Sequence, residues 1–349
     1  VLGDVRTQDG GDGGDDGGPN GPAIAGGDQV WLGPINLNQT SGSIATFTGN
    51  DIFFGLSSST DATLNAGTVS TDILTNPVEV ENTSINAIGN TDELVVNTRD
   101  DLGGSGPDGS AGVTVFGGKV GHDRTAVDET GVVAYTSGAD APTALTTNAN
   151  GATFIGADIN TEGSGGNSMD FFDPVKLLLI DLDAISTETI TLTDTGPDGI
   201  DFHSTLNTAD DPDPNTLGGD VNLDVNLTLD VQGGGDIRFR GAVGSAGMRR
   251  LGRLYITDSD NVRADNVVVA KAVRQDAGTG NTTFANMVTT AGAADAIQDA
   301  TDDGAGLDTD PEFGIDGIGD GGDIDITTDG DIAFFYGANL NGAAGADAG

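Results

Sequence analysis

The chain has 349 residues, 55 of them acidic and 13 basic, for a formal net charge of −42. That field excludes a nucleic-acid-binding face and disfavours an anionic membrane surface. The absence of cysteine excludes disulfides, thiolate metal sites and Cys nucleophiles.

The acid is 48 Asp against 7 Glu, and 57 residues are Gly. Good helix formers are therefore scarce and turn formers abundant. Residues 1–28 form an acidic, Gly-rich N-terminal segment, extended and available to a neighbouring subunit. From residue 29 to 349 short apolar runs recur between Gly, Asp, Asn and Pro. In chain order they are Ile52–Phe54, Val113–Phe116, Leu177–Ile180, Ile190–Leu192, Val221–Val231, Val267–Val269, Ile324–Ile326 and Ile332–Phe335. Runs of this length rich in Val, Ile, Thr and Phe predict strands. Between Val221 and Val231 apolar and polar residues alternate strictly, which puts Val221, Leu223, Val225, Leu227, Leu229 and Val231 on one face. The Ala-rich stretch 291–301 is the best helix candidate. No run approaches the ~20 apolar residues of a membrane span.

One phrase repeats: a small polar residue, Asp or a similar residue, an apolar residue, any residue, Phe, then Gly close behind. It stands at Asn50–Gly55, Gly112–Gly121, Gly235–Gly244 and Gly330–Gly337. The second and third copies align Phe116 with Phe239, Val120 with Val243 and Gly121 with Gly244. Short strands that cannot bury an apolar face alone stack coil on coil around a shared core. The expected fold is all-β: a parallel β-helix, or β-solenoid, with degenerate repeats and Asp/Gly-rich loop insertions. A β-sandwich or jelly-roll assembly is the alternative. The last copy stops short of its later phrases, which predicts a longer parent chain or a terminal coil completed by a neighbour.

Within residues 235–290 three phrases follow in order. They are Phe239-Arg-Gly-Ala-Val-Gly244, Leu251-Gly-Arg-Leu254 and Gln275-Asp-Ala-Gly-Thr-Gly280, the last leading to Thr282-Thr-Phe284. This stretch resembles one repeat of the giant bacterial surface proteins related to filamentous haemagglutinin. The resemblance implies a secreted, elongated β-helical adhesin or fibre. The chain departs from that pattern in its heavy Asp insertions and in Met248-Arg-Arg250.

No catalytic motif is present: neither a nucleophile elbow, a His-Glu-x-x-His helix nor a phosphate-binding loop. An enzyme is not expected. His122 and His203 lie in Asp-rich stretches and read as solvated loop residues. The constellation with chemistry is Asp, since calcium takes six to eight oxygens from carboxylates and carbonyls. The candidate ligands are Asp194, Asp198 and Asp201; Asp210, Asp211 and Asp213; Asp308 and Asp310; and Asp323 and Asp325. Ca²⁺ is the candidate cofactor, with a solvated acidic surface as the plain alternative. Sequons at Asn38, Asn82, Asn226 and Asn281 leave glycosylation as a minor reading. The function expected from sequence is structural: an extracellular, cell-surface or filament-forming rod that self-associates or adheres to glycans or cells. A calcium-dependent glycan-binding or glycan-processing module is the competitor.

Overall fold

The computed structural model describes residues 29–31, 35–37, 44–49, 51–58, 77–79, 84–87, 93–98, 112–127, 133–137, 141–148, 151–162, 169–178, 189–208, 225–244, 251–290, 324–326, 329–334 and 338–341. The described residues are all-β, without a helix. The stretch 291–301 and the segment 1–28 lie outside them.

Strands pair in parallel with strands one coil away, and the chain visits three faces in rotation. The first face stacks Gln29–Trp31, Ile52–Phe54, Val113–Phe116, Ala152–Ile155, Val175–Leu177 and Leu206–Thr208. It continues through bridges from Leu206 to Val243 and from Val243 to Val268. The second face runs from Ile35–Leu37 through Ser84–Ala87, Lys119–Val120, Ile159–Thr161, Thr189–Asp194 and Asn226–Val231 to Leu251–Asp258. The third starts at Ile44–Gly49 and passes Glu93–Thr98, Ala144–Thr147, Met169–Phe171, Gly199–Phe202 and Asp236–Phe239. Two long strands, Val262–Gln275 and Thr282–Thr290, then bend across corners and serve more than one face. With neighbouring strands ~4.8 Å apart, the result is a solenoid-like parallel β fold with a narrow interior.

That interior is filled by columns of side chains in register. On the third face the inward column is Phe171, Phe202, Phe239, Ala264, Phe284 and Phe334. Phe171, Phe202 and Phe239 stack with centroids 5.2 and 5.3 Å apart. On the second face Ile85, Val120, Ile159, Leu192, Leu229 and Ile256 follow one another. Each is wholly buried. Stacking side chains of like shape at strand spacing fills a core without gaps, which explains how so few aromatics suffice.

Corners need a different chemistry, because there the strand ladders break and backbone N–H groups lose partners. Asp and Asn supply the acceptors. Asp236 Oδ1 accepts the Asn261 N–H, Asn261 Oδ1 accepts that of Asn281, and Asn281 Oδ1 accepts that of Asp331. One side-chain ladder thus climbs the corner coil by coil. Asn226 does the same for Arg253. Two of the four sequons therefore have their amides engaged in the scaffold, while Asn38 and Asn82 lie outside the described residues.

The repeated Phe phrase proves to be a corner, not a fixed position on the coil. Phe116 lies on the first face and Phe239 on the third. Gly117 and Arg240, the residues after each, both donate to the Phe carbonyl one coil below, Phe54 and Phe202. Gly121 and Gly244 both take positive φ, 69° and 65°, where only Gly is unstrained. Two antiparallel ribbons interrupt the coils, Leu56–Ser58 with Pro77–Glu79 and His122–Val127 with Val133–Ser137. The sequence's weak hairpin signals did not announce them.

Candidate functional site

The outward column of the third face carries the charge. Between inward Met169 and Phe171 stands Asp170, and register places it beside Asp201, then Arg238, Arg263 and Thr283. Immediately past each inward Phe the chain turns outward again at His203 and Arg240. The site is thus the outward half of the alternation that builds the core.

His203 Nε2 lies 3.0 Å from Asp170 Oδ1 and 3.7 Å from Asp201 Oδ2. Arg240 grips Asp201 from the next coil, its Nε 3.0 and 3.1 Å from the two carboxylate oxygens, with Nη2 also bonded. The Asp201 hydrogen bonds raise the Arg240 pKa above its ordinary value. Beyond them Arg238 Nη2 meets Asp265 Oδ2 at 3.0 Å, and Arg263 bonds the other oxygen of Asp265. Burial pushes the Asp265 pKa up, but these two guanidinium bonds outweigh it and hold the carboxyl below the usual range. The imidazole of His203 stacks on Phe172 with centroids 4.0 Å apart, and Phe172 is 39% exposed. Alongside runs a shallow groove of about 430 Å³, lined by Asp170, Asp198, Asp201, Asp236, Arg238 and Arg263 among others.

Chemically the arrangement is a string of alternating charge across coils. Asp170, Asp201 and His203 each offer one ligand atom, all within 4.8 Å of one another, a set that could hold a metal ion. Arg240 already neutralises Asp201, so a divalent ion there must displace a bidentate guanidinium.

The predicted ligands are scattered differently. Asp198 and Asp201 do line the same groove. Asp194 does not join them: it is buried, its Oδ1 accepting from Gly196 N–H and Thr161 Oγ1 and its Oδ2 from Gly199 N–H. It pins the Gly196-Pro-Asp-Gly199 turn instead of facing a ligand. Asp325 sits in the strand Ile324–Ile326 opposite Arg274. Asp210, Asp211, Asp213, Asp308, Asp310 and Asp323 lie outside the described residues.

Neither histidine is a solvated loop residue. His122 opens the strand His122–Val127, its Nε2 is buried without a partner, and burial, then nearby Lys119, lowers its pKa despite Asp158. His203 is held by Asp170 and Phe172. Asp170 went unnoticed in the sequence, yet a signal was there. Met169-Asp-Phe-Phe172 and Ile200-Asp-Phe-His203 are one phrase twice, and stacking them superimposes the two carboxylates. The chain matches no protein-family model, no curated protein and no solved structure.

Proposed function

We propose that the chain is a parallel β-helical rod from an extracellular bacterial surface or filament protein, whose work is to extend, adhere or assemble. The observation that carries this reading is the coil-to-coil parallel pairing of three faces around one column-packed core. Such a body is stiff along its axis and gains length by adding coils. The cysteine-free, Asp-dominated surface suits salty or calcium-rich surroundings. Among the described residues no helix is long and apolar enough to cross a membrane.

Electron microscopy of the native chain tests the proposal. Rods of constant width, joined end to end into longer fibres, are the expected image. Compact, isotropic particles at all concentrations would sink it.

A second reading, a calcium-dependent glycan-binding or glycan-processing module, is favoured by one observation: the exposed Phe172–His203 stack beside the carboxylate-lined groove. Sugar rings stack on such platforms while carboxylates take their hydroxyls. Calorimetric titration with oligosaccharides decides it. Binding that disappears in Phe172→Ala supports a glycan module, and no heat with neutral or acidic glycans removes it.

A further inference from the structure

Away from the groove, at the corner where the third face passes into the first, three oxygens converge on Gly151. Asp173 is 1% exposed and accepts the Gly151 N–H through Oδ1 at 2.8 Å. Its Oδ2 is buried without a hydrogen-bond partner. Thr98, wholly buried one coil below, likewise has an unpartnered hydroxyl. A side-chain carbon on Gly151 would lie 3.0 Å from Thr98 Oγ1 and 3.3 Å from Asp173 Oδ2, and would also strike the Gly112 carbonyl oxygen. That carbonyl makes only a long bond to the Ala152 N–H, 3.3 Å. Two residues along, Thr114 and Thr153 stand in register and carry two more buried, unpartnered hydroxyls.

We propose that this corner binds a hard, oxygen-seeking cation of calcium's class, held by Asp173 Oδ2, Thr98 Oγ1 and the Gly112 carbonyl. Every donor is oxygen, which suits Ca²⁺ and not the nitrogen- and sulfur-seeking transition metals. A buried carboxylate with one idle oxygen is costly unless something positive meets it. Among the described residues no Lys, Arg or His pairs with Asp173. Burial pushes its pKa up to about 6, against the opposing Gly151 bond. Gly at 151 leaves the room. The site is independent of the rod proposal and of the Asp170 cluster.

The test compares thermal midpoints of the full chain and of Asp173→Asn, each in CaCl₂ and in EDTA at equal ionic strength. An acidic surface of this density collects calcium everywhere, so only the difference between the two proteins counts. Calcium should raise the parent's midpoint by roughly 3–5 °C more than the variant's. In EDTA the variant should be at least as stable as the parent, since an amide removes the buried charge and can donate to Thr98. An equal calcium shift in both proteins overturns the site. Anomalous diffraction from Tb³⁺-soaked crystals of the unmodified chain gives an independent answer. A peak at ~2.3–2.6 Å from Asp173 Oδ2 supports the site. A water-sized feature without anomalous signal, a trapped water only, overturns it.

Discussion

At the scale of single residues, Asp and Asn do work that hydrophobic pattern does not reveal. Asn261 shows it best. Its Oδ1 accepts the Asn281 N–H while its Nδ2 and its own N–H reach down to Asp236. Asn261→Ala removes the acceptor of the Asn281 N–H and the Nδ2 bond to Asp236, leaves the backbone N–H bond to Asp236, and should cost about 1–2 kcal/mol, read as a lower urea midpoint. An unchanged midpoint would mean water replaces the ladder at no cost. Asp173 makes a prediction of opposite character. Its folded pKa of about 6 lies above the ordinary carboxylate value, so the unfolded chain ionises first as pH rises. The stability tied to it is fully present below about pH 4 and is lost between there and pH 6. In EDTA the parent should therefore lose on the order of 2–3 kcal/mol relative to Asp173→Asn between pH 4 and pH 7. A constant difference across that range would place the carboxylate in water.

At the scale of strands and turns, the apolar runs were legible and their partners were not. Ile52–Phe54 and Val113–Phe116 were expected as strands because β-branched and aromatic residues cluster there. The structure pairs them directly although Asp51 and Val113 are 62 positions apart. Nothing local encodes that jump. It follows from stacking like columns, which is a property of the coil and not of the segment. At the turn Gly196–Gly199 the organiser was misread. Asp194 looked like a ligand because carboxylates near Gly turns also bind calcium; the structure spends both its oxygens on the turn's own N–H groups. Gly199 at φ 96° packs against the Asp236 backbone, whose nitrogen would lie 2.6 Å from an added side-chain carbon. Gly199→Ala should destabilise by at least about 2 kcal/mol through strain at both points. Phe202→Ala, which empties the middle of the Phe171–Phe202–Phe239 stack, should cost about 3–5 kcal/mol. Equilibrium unfolding of each variant reads these directly, and a loss below 1 kcal/mol at Phe202 would mean the column closes over the gap.

Across the whole molecule, the charge decides how the solenoid responds to its surroundings. An acidic molecule was legible in the Asp excess, although Asp170, Asp194, Asp201 and Asp265 stand in strands and not in the expected loops. The cross-coil ion pairs were not, because Asp201–Arg240 and Arg238–Asp265 join residues 39 and 27 apart through register alone. Those pairs are attractive and weaken when salt screens them. Against them stand 55 acidic side chains and 13 basic ones, a surplus of like charge that repels itself. With strands ~4.8 Å apart and a Debye length of ~10 Å at 0.1 M salt, that repulsion is felt over several coils at once. At 1 M salt the length falls to ~3 Å, shorter than one coil step. Unfolding spreads the same charge over a longer chain and relieves the repulsion. Two terms of opposite sign are thus in play, and the count of groups favours repulsion. The melting midpoint in EDTA should therefore rise as NaCl goes from 0.1 M to 1 M, without any calcium present. A midpoint that falls over that range would mean the few arginine clasps outweigh the surplus of acid, and that the fold is held by its cross-coil ion pairs.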